Sequence, residues 1–387
     1  MRVLITSPVF PPDLGGPSVY VPSLGRFLVE RGHDVTVVAF CSDPEPKGHP
    51  FPIRAISRGN LAVRYLKAFF AVLREAKGKD VVYVQEHLAL LHVLAARLRG
   101  VPTVIRIMVD GAWEISHRKG WIDGDDIVTF ETKEYGWKVK LTRFLQKRWW
   151  TWCTRLIACS EFLRQICIQR YGLAEDKVVR IFNAYHGAPP DSVPTSREEA
   201  CGKLGLDPAK RYVLTICRLM VWKGVDGILR AMRELPDDAV LLIAGDGDME
   251  AEWKRLAAEL GLGDRARFLG NVPHERIPLL IRASHVFVLN SEYEGLSHTL
   301  IEVATLGAAT VCTGVCGNPE VVEDGVNGFL VPPKDDRALA EALGKLLADN
   351  ELRGRFARAA LEGSRRFSRA DTFARVEQVL TEAAERR

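Results

Sequence analysis

The stretch HVFVLNSEYEGLSHTLIEVATLGAA, residues 285–309, decides the reading of this chain. An apolar run ends near Asn290, a polar turn follows, and an apolar helix begins near Ser297 to Thr299. An uninterrupted apolar strand that feeds a helix belongs to a parallel sheet covered on both faces. The same alternation extends in both directions. RVLITS, DVTVVAF, DVVYVQE, TVIRIM, RLIACS and KVVRIF read as strands in the first half, with helices near 18–31, 61–78, 88–99, 131–152 and 160–171. RYVLTIC, AVLLIAG, ARFLG, HVFVLN, AATVC and GFLV follow in the second half, again with helices between them. Two such series indicate an α/β chain of two doubly wound, Rossmann-like domains.

The periodicity breaks at GAPPDSVPTS, residues 187–196, where prolines and small polar residues collect. This places an N-terminal domain at 1–188, a C-terminal domain at 189–368, and a final helix at 369–387 that packs back on the first domain. A length of 387 residues suits two domains. Ligands of open α/β sheets bind beyond the carboxyl ends of the strands, so a cleft between the domains is the expected site.

Composition narrows the function. An apolar fraction of 47% with 26% charged residues excludes disordered and fibrous classes. A net charge of +4, from 53 basic and 49 acidic residues, is close to neutral at this length and argues against nucleic acid as partner. No apolar run reaches the roughly 18 residues of a membrane span. MRVLITSPVFPP is broken by Pro8, Pro11 and Pro12 and does not read as a secretory signal. The eight cysteines contain no CxxC pair, which suits reduced thiols better than a disulfide frame or a zinc site. A cytoplasmic protein is expected, with any membrane contact peripheral.

Common nucleotide fingerprints are absent. There is no GxxxxGK[ST], and AGDGDME offers Gly245 and Gly247 but Glu250 where a dinucleotide motif has its third glycine. The opening stretch is more informative, because N–H groups at a helix start beside a strand's C-terminal edge form an anion site. Glu294 lies in its turn and Glu302 on the first turn of its helix, where two carboxylates can address different parts of one ligand. The plainer alternative is a capping box, Thr299-x-x-Glu302, with Glu294 solvated. VLTICRLMVWKG sets Arg218 and Lys223 just past another strand of the same domain. Two cations there can hold a diphosphate and neutralise it as a leaving group without a metal; a basic surface loop is the alternative. VFPPDLGGPSVYV puts Gly15 and Gly16 between the first strand and first helix, either as an ordinary turn or to let backbone approach a ligand closely.

Taken in order, these segments resemble the retaining family-4 glycosyltransferases of the GT-B fold (group 1 glycosyltransferases). The resemblance covers nearly the whole chain. It rests on LGGPS, IACSEFLRQICIQRYGL, IFNAY, CRLMVWKG, AGDGD, FLGNVPHE, EYEGLSHTLIE and CGNPEVVEDGVNGFLV. It implies a sugar moved from a nucleotide-sugar donor, UDP- or GDP-linked, to a glycan or lipid-linked acceptor with retention of anomeric configuration. Cell-surface polysaccharide or glycolipid synthesis would be the setting, with no cofactor and no metal. Glu294 would lie by the transferred sugar. Glu302 would hold the ribose hydroxyls, and Asn271 and Val272 would sit beside the base. Arg218 and Lys223 would bind the diphosphate with the backbone at Ser297, His298, Thr299 and Leu300, and Gly15 and Gly16 would approach it from the other domain.

Two positions depart from the family pattern. Cys217 stands where glycine usually precedes the arginine. After TVIRIM the family's histidine is missing, and Met108, Val109 and Asp110 stand there instead. Asp110, with Glu114, is the candidate substitute on the acceptor side; Gln85 occupies another position where relatives carry histidine, and His87 and His117 lie nearby. The missing histidine motivates the alternative of a catalytically weak homologue acting as a binding or partner subunit. A nucleotide-sugar epimerase or phosphorylase on the same architecture is a third reading. A metal-dependent transferase would rest on Asp246-Gly247-Asp248 alone.

Residues 133–155, KEYGWKVKLTRFLQKRWWTWCTR, carry seven cations against Glu134, with Trp137, Trp149, Trp150 and Trp152 among them. Such a segment suits an anionic membrane surface. A helix that buries its tryptophans against the first sheet is the alternative.

Overall fold

The computed structural model of the protein describes residues 1–13, 15–85, 89–187 and 196–386. His87 and residues 188–195, most of the expected linker, lie outside the described residues. Contacts divide the chain into two units, residues 1–182 with 369–387, and residues 183–368. The division precedes the 188/189 position because Asn183 and Tyr185 are already tied to the second unit: Asn183 Nδ2 donates to Leu296 O at 2.9 Å, and Tyr185 N to Phe367 O at 3.1 Å.

The first unit holds β1 (Arg2–Ser7), β2 (Asp34–Phe40), β3 (Ile53–Ile56), β4 (Val81–Val84), β5 (Thr103–Ile107), β6 (Arg155–Ala158) and β7 (Val178–Arg180). They form one sheet in the order β3-β2-β1-β4-β5-β6-β7, with all neighbours parallel. Apart from the edge strands β3 and β7, the strands are Val- and Ile-rich and buried, because helices cover both faces and β-branched side chains pack well on a pleat. Its core joins Val3, Ile5, Val37 and Tyr83 to Phe373, Val376 and Leu380 of the helix Arg369–Glu385. Burying each such side chain stabilises by about 1.5–3 kcal/mol. On the rim, Glu377 of that helix meets His33 Nε2 at 2.7 Å.

The second unit holds β8 (Arg211–Ile216), β9 (Ala239–Ala244), β10 (Ala266–Gly270), β11 (Val286–Leu289), β12 (Thr310–Thr313) and β13 (Gly328–Val331), in the order β10-β9-β8-β11-β12-β13. All of its pairs are parallel. The winding reverses between β8 and β11, and the C-terminal edge of such a switch point is where open α/β sheets bind ligands. Val213, Leu241, Val288 and Val311 from the strands pack with Ile228, Trp253, Leu343 and Phe356.

Three local features differ from the sequence expectation. β3 was not anticipated: it is a four-residue edge strand, mostly half-exposed, and lacks a continuous apolar run. The expected helix 131–152 is two helices, Ile127–Thr132 and Trp137–Trp152. Asp125 fixes the break, accepting from Lys133 Nζ at 2.8 Å and Tyr135 OH at 2.6 Å. A further helix, Gly111–Arg118, follows β5, capped by Asp110.

Candidate active site

The second unit gathers most of the expected ligand-binding residues at the C-terminal edge of its sheet. β8 leads into Arg218 and Lys223, β10 into Asn271 and Val272, and β11 into Glu294 and the helix His298–Thr305. Ser297 is that helix's N-cap, its Oγ accepting from Leu300 N at 3.2 Å, so the cap lies two residues before the one a Thr299-x-x-Glu302 box requires. The positive end of the helix dipole therefore meets the turn that carries Glu294.

Lys223 and Glu294 are in direct contact. Lys223 Nζ lies 2.5 Å from Glu294 Oε1, and both side chains are largely buried. Ser291 Oγ donates to the same carboxylate oxygen at 2.9 Å. Burial works against the Lys223 ammonium, but the charge and hydrogen bond of Glu294 outweigh it and raise its pKa. Asn290 at the end of β11 fixes the Lys223 loop, its Nδ2 donating to Gly224 O at 2.8 Å. Gly224 has φ +60 and a Cβ there would sit 2.3 Å from Asn290 O, so the approach requires glycine. Thr313 Oγ1 donates to Ser291 O at 2.5 Å, bracing the turn from β12.

Arg218 is exposed on a loop shaped by the AGDGD segment. Cys217 N donates to Ala244 O at 3.1 Å and Leu219 N to Asp246 O at 2.7 Å. A Cβ on Gly245 would approach Cys217 O to 1.9 Å, and one on Gly247 would approach Leu219 O to 2.4 Å. These glycines thus let two loops lie side by side and set where Arg218 emerges. Cys217, in the family's glycine position, is held as a thiol by burial, its pKa pushed up to about 11.

Glu302 stands on the second turn of its helix rather than the first. Its side chain is 13% exposed, and Oε1 is buried with no hydrogen-bond partner among the described residues. Burial raises its pKa, partly offset by His274, whose Nε2 is 3.7 Å away. A buried acceptor without a donor is costly, and ligand hydroxyls would satisfy it. His274 also brings the Asn271–Val272 segment beside this helix. His298 is exposed at the helix start, with its ring 6.4 Å from that of His186.

The first unit contributes differently. Gly15 and Gly16 are exposed at the start of the helix Gly16–Glu30, where Gly15 O accepts from Ser18 N at 3.0 Å. Asp110, expected to face an acceptor, is instead completely buried. Its Oδ1 accepts from Ala112 N, Trp113 N and Gln146 Nε2 at 2.8–3.0 Å, and its Oδ2 accepts from Tyr171 OH at 2.8 Å. Those donors hold it in the interior, where it serves as an internal helix cap. Glu114 is paired with Arg118 at 2.7 Å, Gln85 is buried, and His117 packs its ring 5.2 Å from Trp113.

The basic segment 133–155, which runs through the helix Trp137–Trp152 into β6, divides its side chains. Trp149, Trp150, Arg143 and Arg155 are buried, so two of the tryptophans and two of the cations pack inward. Trp137, Leu141 and Phe144 are 71%, 47% and 60% exposed, and their spacing puts them on one face. Lys138, Lys140, Lys147 and Arg148 are exposed around them. Among the described residues, no helix is long and apolar enough to cross a membrane.

Two doubly wound units, each built on an all-parallel sheet, are the architecture of the GT-B glycosyltransferases. Comparison with known proteins agrees. The Glycosyl transferases group 1 family matches residues 196–362, and the Glycosyl transferase 4-like domain matches residues 15–184. The chain belongs to the group 1 glycosyltransferases. An uncharacterized glycosyltransferase of Methanocaldococcus jannaschii is 26% identical over 367 residues, 90% of each chain. A D-inositol 3-phosphate glycosyltransferase of Xylanimonas cellulosilytica is 26% identical over 99% of this chain and 96% of its own. Anabaena HepE in complex with UDP-glucose shares the fold with a TM-score of 0.76, at 21% identity over 99% of this chain and 100% of its own.

Proposed function

We propose that this glycosyltransferase moves a sugar from a UDP- or GDP-sugar to a glycan or lipid-linked acceptor with retention of anomeric configuration. The setting is cell-surface polysaccharide or glycolipid synthesis on the cytoplasmic side of the membrane. The observation that carries the reading is the Lys223–Glu294 pair, held between the Arg218 loop and the start of the helix His298–Thr305. A diphosphate there meets two cations and a positive helix end, which supply the neutralisation a leaving group needs without a metal. Glu302, with its unpartnered buried oxygen, accepts the ribose hydroxyls, and Asn271 and Val272 flank the base.

In the reaction the bond from anomeric carbon to phosphate oxygen breaks and the acceptor oxygen bonds the same face of that carbon. The acceptor's proton passes to the departing phosphate, and Glu294 lies beside the sugar. UDP-glucose in the Anabaena fold relative supports a nucleotide-sugar donor of this kind. The exposed Trp137–Leu141–Phe144 face, ringed by lysines and arginine, supports docking on an anionic bilayer next to a lipid-linked acceptor. Thermal-shift screening against UDP- and GDP-sugars tests the reading, since a ligand at about 100 times its Kd adds about 2.7 kcal/mol. A panel without any stabilising nucleotide sugar would remove it.

A further inference from the structure

The second unit has a cavity of about 470 Å³ at the opposite edge of its sheet. His285 and Ala309, which immediately precede β11 and β12, line it, whereas the proposed donor site follows the ends of those strands. Four residues of β11, at about 3.3 Å each, put more than ~10 Å between the two. Gly307, Ala308 and Gly354 form part of the wall and leave its interior unfilled.

The remaining wall is cationic. Arg197, Arg282 and Arg353 line it with His285, against one carboxylate, Glu198. None of the three arginines has an acidic partner among the described residues. Arg197 donates to the carbonyls of Ala283, Pro208 and Lys210 at 2.6–3.1 Å, and Arg353 to that of Leu347 at 3.1 Å. Carbonyls orient a guanidinium but leave its charge uncancelled. Arg282 Nε is buried without a hydrogen-bond partner. The cations also feel one another: burial and then the charge of Arg197 lower the pKa of Arg353, partly offset by Asp349. Burial, Arg197 and Arg353 together lower that of His285 to about 4. His285 Nδ1 accepts from Tyr212 N at 3.0 Å, so in the neutral ring the proton sits on Nε2 as a donor. A spacious cavity with three guanidinium groups that make no ion pair among the described residues and an orphaned N–H lacks one thing, an anion of charge two or more.

We propose that this cavity binds a small phosphate-bearing anion, separately from the nucleotide-sugar donor. Guanidinium forks match phosphate oxygens in pairs, and the volume admits a phosphorylated sugar as well as the phosphate itself.

Pyrophosphate is the probe, followed through the His285 ring signals by NMR in the wild-type protein and in Lys223→Ala. Saturable His285 shifts are expected in both proteins, with little response to equal chloride. Arg282→Gln should weaken that binding at least about tenfold, the usual effect of losing a charge-assisted hydrogen bond. Because Arg282 makes no hydrogen bond to the described residues, this variant should keep the wild-type Tm. An unresponsive His285, an equal response to chloride, or unchanged affinity in Arg282→Gln overturns the proposal. Failure of the donor reading would show separately, as unaltered UDP binding in Lys223→Ala.

Discussion

Lys223 Nζ and Glu294 Oε1 lie 2.5 Å apart, the cation arriving from the loop after β8 and the carboxylate from the turn after β11. One contact thus spans the two strands between which the winding of the sheet reverses. Replacing either partner strands the other in a largely buried position. Lys223→Ala should weaken binding of the nucleoside diphosphate by about 1.5–3 kcal/mol, and Arg218→Ala by a comparable amount. Glu294→Ala should chiefly lower kcat. Calorimetry with UDP and GDP, beside steady-state kinetics, checks the division; undiminished nucleotide affinity in Lys223→Ala would contradict the diphosphate assignment.

Glu302 carries a pH signature. The ribose-binding role proposed for it needs the carboxylate form as acceptor, and burial raises its pKa. Nucleotide affinity should therefore begin to fall, as the pH is lowered, at a higher pH than for an ordinary glutamate. Glu302→Gln should bind more weakly at neutral pH and show a flatter profile. Titrations across the mildly acidic range compare the two, and parallel curves would refute the role.

The chemistry at the cation pair predicts that the product keeps the donor's anomeric configuration and that activity survives chelation. NMR of the new linkage settles the stereochemistry. Loss of activity in EDTA with recovery in manganese would instead call for a metal.

Vesicle binding should depend on one face of the helix Trp137–Trp152. Replacing Lys140, Lys147 and Arg148 with glutamine should weaken attachment to anionic vesicles by roughly 3 kcal/mol at low salt, at about 1 kcal/mol for each cation. Trp137→Ser with Phe144→Ser should weaken it further. Added salt should diminish the first effect more than the second. Co-sedimentation measures both, and a wild-type protein that leaves such vesicles unbound removes the docking proposal.

Beneath that helix, burial and the neighbouring Asp110 push the Glu131 carboxyl up to about 8, partly offset by Arg143 and Arg170. The folded state therefore holds a proton that the unfolded chain releases near its ordinary value. Between the two pKa values the native state binds more protons, so this group's contribution to stability falls as pH rises toward 8. Glu131→Gln should raise stability by on the order of 2 kcal/mol near pH 8, with a smaller gain near pH 5. Melting curves at the two pH values show whether the gain grows in that direction.

Sequence reading recovered the buried strands because parallel sheets write themselves as unbroken Val, Ile and Leu runs. β11 and β2 are examples, while β3 escaped because a short edge strand with half-exposed side chains has no such run. Within the candidate site, the positions of Arg218, Lys223, Glu294 and Glu302 past strand ends and near a helix start were legible. The roles of Asn290 and Thr313 were not, since each depends on a partner distant in sequence, Gly224 or Ser291. Asp110 misled for the same reason: Gln146 and Tyr171, which enclose it, lie 36 and 61 residues away.

Phe373, Val376 and Leu380 complete the hydrophobic core around β1, β2 and β4, although they follow the entire second unit in the chain. During synthesis, the earlier-made half must therefore wait on the ribosome with that surface uncovered while residues 183–368 emerge and fold. The second unit can reach its native state vectorially; the first can be finished only after the helix Arg369–Glu385 has left the exit tunnel. Chains halted before that helix would present an apolar groove to chaperones and proteases, because the 17 residues that cover it would be missing.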